Sequence, residues 1–113
     1  MAKQPDDVLR DVQLIRDKAR QNAKRVEDEA AVTDAAALQF LSTESDTGLT
    51  LARIALDSDN AAKKSRNREN ARRAFDTVRD HLQSVSHLGE QLEPIQEKMK
   101  KLAHMLVCLG EKL

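Results

Sequence analysis

The sequence predicts an all-α protein, folded as a compact, antiparallel three- to four-helix bundle. Three observations carry that prediction. Glycine and proline are scarce, at three and two in 113 residues, so little interrupts the chain. Alanine, leucine, arginine, lysine, glutamate and glutamine are plentiful, and these residues lose least on entering a helix. Apolar residues recur every three or four positions, and no β-branched run alternates as a half-buried strand does. A chain of this length buries roughly 65% of the surface it exposes when unfolded, enough for one core. With two Phe, no Tyr and no Trp, that core is aliphatic.

The first predicted helix starts near Pro5 and Asp6, where proline and acids suit a helix N-terminus. Its stripe, Val8, Val12, Ile15, Ala19, Ala23, Val26 and Ala30, is narrow and rich in alanine, so it buries little. Residues 1–33 are therefore expected to form a loosely held N-terminal helix, and residues 34–113 the bundle domain. Thr33 and Asp34 before a run of alanines suggest an N-cap between the two, with one continuous helix as the alternative.

The second helix is expected over Asp34–Asp57. Leu38, Leu41, Leu49, Ala52, Ala55 and Leu56 share a face, which Phe40, Leu51 and Ile54 widen beyond half the circumference. So wide an arc calls for two neighbours. Ser45, Gly48 and Ala52 form a strip of small residues that admits a neighbouring helix closely. Glycine there costs about 1 kcal/mol against alanine, which a tight contact offsets. Asp57-Ser58-Asp59-Asn60 reads as a turn with several candidate caps. The third helix is expected over Asp59–Ser86, with Ala71, Ala74, Phe75, Val78, Leu82 and Val85 on its apolar face. His87-Leu88-Gly89 marks the next break. In the fourth helix Leu88, Leu92, Ile95, Met99, Leu102, Leu106, Leu109 and Leu113 alternate spacings of four and three, the pattern of a packed seam. Pro94 fits only in a first turn.

Two anomalies stand on these faces. Asn67 falls inside the apolar arc of the third helix, with Asn70 at its edge, and Glu44 interrupts the arc of the second. Counting antiparallel about the turn places Glu44 near Phe75, with Arg72 or Arg73 as its partner. Asn67 then faces Leu49–Ala52, buried and bonded to the second helix, while Asn70 stays partly exposed. The favoured reading is that Glu44 and Asn67 are polar pins that set register; the other is a ligand site. Lys63, Lys64, Arg66, Arg68, Arg72 and Arg73 place six bases in eleven residues against one acid, and Arg68, Arg72 and Arg79 share a stripe. Such a stripe suits an anion, RNA or a phosphopeptide. The favoured reading is a solvated face balanced by Glu69, Asp76 and Asp80, since no aromatic residue interleaves it for base stacking.

Nineteen bases and nineteen acids cancel, which argues against a general nucleic-acid binder. The single Cys108 suits a reducing compartment. No apolar run approaches the ~20 residues of a membrane span, and MAKQPDD is unlike a signal peptide. A cytoplasmic protein without a membrane partner is expected. His104 and Cys108 stand four apart but offer two ligands where zinc needs three or four, so no metal site is expected. There is no phosphate loop, paired-carboxylate pattern or nucleophile at a telling spacing, so neither an enzyme, a catalytic residue nor a cofactor is expected.

The segments "ESDTGLTLARIAL" and "RNRENARRAFDTV" resemble a group of small bacterial helical proteins. In that group a Glu and a Gly-Leu-Thr step precede N-x-x-N-A-R-x-A-[Phe/Tyr]-D-T. The matching positions here are Glu44, Gly48, Asn67, Asn70, Ala71, Arg72, Ala74, Phe75, Asp76 and Thr77, across about a third of the chain. The resemblance implies a bacterial source and a helical fold, and no activity. The second and third helices also resemble a tetratricopeptide unit, with its ladder of large and small residues incomplete. The function expected is a non-catalytic protein-interaction or small regulatory module, with a protein partner or self-association. The alternative is binding of an anionic partner, RNA or a phosphorylated ligand, through Arg68, Arg72, Arg73 and Arg79 beside Glu44, Asn67 and Asn70.

Overall fold

The computed structural model describes residues 33–113, and the helix expected over 6–30 lies outside them. Three α-helices follow in order: α1 through residues 33–57, α2 over Ala61–Ser84 and α3 over Glu93–Cys108. Thr33 and Asp34 are already helical, so they do not make the expected N-cap. The turn after α1 is held by Ser58, whose Oγ accepts from the Asn60 amide at 3.3 Å. Asn60 is the cap of α2, its Oδ1 accepting from the Lys63 amide at 3.0 Å. This fixes the start of α2 two residues later than Asp59.

The third predicted boundary also moves. α2 stops at Ser84, and Ser86–Leu92 forms a short 3-10 segment broken at Gly89, whose φ of +53° is open to glycine at little cost. α3 therefore begins at Glu93 rather than Leu88. A helix started at Leu88 would carry Pro94 in its interior; started at Glu93, it places the proline in the first turn, where the missing N–H costs nothing. At the other end Gly110 takes φ +94°. Its amide donates to Val107 at 2.9 Å and the Glu111 amide donates to Leu106 at 2.9 Å, a Schellman closure. The seam thus ends at Leu109, and Leu113, expected within it, lies beyond the helix and is exposed.

The remaining seam residues, Leu88 through Leu109, are all buried, as their spacing predicts. They meet Leu41, Ala52 and Ala55 of α1 and Ala71 and Val78 of α2 in one core. The small-residue strip does what its composition suggests. A Cβ on Gly48 would stand 2.6 Å from Leu102 Cδ2 and 3.3 Å from Ala74 Cβ, so all three helices meet at this glycine. Ser45 beside it is fully buried, and its hydroxyl donates to the Leu41 carbonyl at 2.7 Å. The register is set along the length. Phe40 lies over His81, with centroids 5.3 Å apart, and Arg68 reaches Glu111 at 3.5 Å, so α2 runs antiparallel to both neighbours. Lys98 bridges Asp46 at 2.9 Å and Gly48 meets Leu102 further along both helices, so α1 and α3 run parallel. The arc of α1 is wider than these contacts cover: Phe40, Ile54 and Leu56, expected on its apolar face, are each more than a third exposed. Asp34–Leu113 forms one compact three-helix bundle.

Candidate functional site

Glu44, Asn67 and Asn70 are each half-buried, and the structure does not bring the glutamate to the asparagines. With Phe40 beside His81, Glu44 comes level with Thr77. Asn67 lies ten residues further along α2, about 15 Å at ~1.5 Å per residue. Neither proposed partner pairs with Glu44. Arg72 Nε is 3.0 Å from Asp76 Oδ1, and Arg73 is 3.7 Å from Glu69. Among the described residues Glu44 forms no ion pair, and it is half-buried. Asn67 is not the interhelical pin its position on the wheel suggests. Its Nδ2 donates within α2, to the Lys63 carbonyl at 2.9 Å.

The arginine stripe is engaged in the bundle itself. Arg68 pairs with Glu111, and its guanidinium lies against Gly110. Arg72 binds Asp76 with Nε and donates from Nη1 to the Lys112 carbonyl at 2.7 Å. Arg79 reaches Asp76 at 3.4 Å and Asp80 at 3.5 Å, and lies 5.9 Å from the centre of the Phe75 ring. Asp76, Asp80 and Glu69 are the balancing acids expected from the sequence. Glu111 and the Lys112 carbonyl are not, because the fourth helix was expected to run on through them. The Leu-Gly-Glu step at 109–111 holds the signal that finds them, since a glycine after a leucine seam marks a helix end. Arg68 and Arg72 thus clasp the tail to α2.

His104 Nε2 and Cys108 Sγ are 3.9 Å apart on an exposed face. Among the described residues no three His, Cys, Asp or Glu side chains gather as a metal site requires. No described helix is long and apolar enough to cross a membrane. Every buried side-chain polar atom of the described residues has a hydrogen-bond partner, so none is held unsatisfied for a ligand.

Two open grooves flank α3. Between α2 and α3 a groove of about 660 Å³ has Phe75, Leu82, Met99 and Ala103 on its floor, with Arg79, Lys100, Glu93, Gln96 and Glu97 around it. Between α1 and α3 a second groove of about 570 Å³ is lined by Leu49, Met105, Arg53, Lys100, Lys101 and His104. Lys100 stands in both, and Val107, 56% exposed, continues the outer face of α3. Both grooves have buried or half-buried apolar residues at the base and charged groups above, and both are open clefts rather than enclosed pockets. No family model, no curated protein and no solved structure matches the chain.

Proposed function

We propose that this protein is a non-catalytic protein-interaction module of a bacterial cytoplasm, and that the outer face of α3 with its two flanking grooves is the contact surface. The observation that carries the reading is the contrast between the two faces of the bundle. The stripe arginines Arg68, Arg72 and Arg79 are engaged with Asp76, Asp80, Glu111 and the Lys112 carbonyl, whereas the grooves beside α3 keep apolar floors open to solvent. A partner helix laid along either groove would cover Met99 and Ala103 or Leu49 and Met105, the usual way an amphipathic helix is captured. The anion-binding alternative is less well supported, because an anion on the stripe must first displace the acids that Arg68, Arg72 and Arg79 already hold.

The test is cross-linking of the tagged full chain in its host, wild type beside two variants, Gln96→Arg/Ala103→Arg for the α2/α3 groove and Arg53→Glu/Lys101→Glu for the α1/α3 groove. One partner, or a second copy of the chain, should cross-link to α3 in stoichiometric yield and be lost from one of the two variants, with circular dichroism unchanged. A partner that both variants retain, or the absence of any stoichiometric cross-link to α3, counts against the reading.

A further inference from the structure

We propose that the groove between α1 and α3 receives an acidic amphipathic segment of a partner protein, with its carboxylates on Arg53, Lys101 and His104 and its apolar side chains on Leu49 and Met105. This rests on the protein-interaction reading and names the chemistry of the partner. The groove is lined by four basic side chains and no carboxylate. That sets it apart from the other open surfaces. The α2/α3 groove sets Glu93 and Glu97 against Arg79 and Lys100, and the cleft over the α1–α2 turn sets Asp46 and Asp57 against Arg53 and Lys63. The stripe on α2 is already paired. In the basic groove only Lys100 has a counter-charge, Glu97 at 3.2 Å. Arg53 and Lys101 form no ion pair with any described residue.

Cations that converge on one cleft without acids raise the local potential and repel one another, and an acidic partner removes that repulsion as it binds. A carboxylate gains most against arginine, whose planar fork supports paired, charge-assisted bonds. Below the charges, Leu49 and Met105 are each half-buried at the edge of the core. A leucine from the partner completes their burial, and the flexible thioether of Met105 adapts to its shape. A polynucleotide fits less well: no aromatic residue lines the groove for stacking, and the chain as a whole carries no net charge.

The test pans the full chain against a random peptide display library. Selected peptides are then titrated by fluorescence anisotropy onto wild type, Arg53→Glu/Lys101→Glu and Gln96→Arg, with a labelled single-stranded RNA oligonucleotide as a second probe. Selected peptides should be enriched in Asp and Glu around Leu. Their affinity should fall by about tenfold or more in the double variant, as rim charge reversal predicts, weaken with added salt, and hold in Gln96→Arg. Both reversed residues lack an ion pair, so circular dichroism should be unchanged; should the double variant unfold, Arg53→Gln/Lys101→Gln takes its place. Peptides without acidic enrichment, or indifferent to the charge change, overturn the proposal. If those peptides are instead lost from Gln96→Arg, the interaction reading stands and only the groove is wrong. Tighter binding of the RNA than of any peptide overturns the proposal in favour of nucleic acid, and a library that yields no binder overturns both the groove and the reading it rests on.

Discussion

At Gly48 a hydrogen occupies the place where any other residue would push carbon into Leu102. Two effects of Gly48→Ala oppose each other. The helix gains about 1 kcal/mol from the better helix former. Overpacking a filled core costs about 1–3 kcal/mol. Leu102 is wholly buried, so its Cδ2 would have to shift within a filled core, and Ala74 Cβ, 3.3 Å away, cannot turn at all. The overpacking should win, and the urea midpoint of Gly48→Ala should fall below wild type; a raised midpoint would mean that the contact is slack. The two asparagines at the start of α2 invert the expectation from the helical wheel. Asn60 caps the helix, so Asn60→Ala should cost about 1 kcal/mol. Asn67 bonds only a carbonyl of its own helix at a half-exposed site, so Asn67→Ala should change stability by less than about 0.5 kcal/mol. Melting curves of the two variants beside wild type check the order, and a larger loss at Asn67 would restore the interhelical pin.

At the scale of elements, α3 was legible because a seam of four–three spacing has one buried solution, and Leu88 to Leu109 are all inside. Its limits were not read from that period, since a hydrophobic repeat does not report where the backbone stops being helical. Pro94 and Gly110 report it, through a missing donor at one end and a positive φ at the other. The partners of the arginine stripe were legible only in part. Asp76 lies four residues from Arg72, within reach of helix spacing rules, whereas Glu111 lies 43 residues from Arg68 and becomes a neighbour only after α3 folds back. The clasp on the tail is testable. Arg72→Met removes the donor to the Lys112 carbonyl and should speed hydrogen exchange at the Glu111 amide, which donates to Leu106, leaving Leu102 and Leu106 protected. Equal loss of protection in the tail and in the seam would show that the clasp holds the whole helix.

At the scale of the molecule, α1, α2 and α3 share one core, a single cluster of buried apolar residues from Leu41 to Leu109, and the buried side-chain polar atoms of the described residues are satisfied. The wheel of α1 overstated its burial, placing Phe40, Ile54 and Leu56 on a covered face, because amphipathic width tells how much surface is apolar and not how many neighbours arrive to cover it. The grooves escaped sequence reading for the same reason, since their walls come from helices far apart in the chain. The central claim is that residues 34–113 form a complete three-helix bundle with its functional surface outside. Urea unfolding of a chain cut to those residues, followed by circular dichroism at 222 nm, tests it most directly. The account predicts one cooperative transition, with Leu102→Ala in the same fragment costing about 2–5 kcal/mol. A gradual, sloping loss of helix without a transition would contradict it.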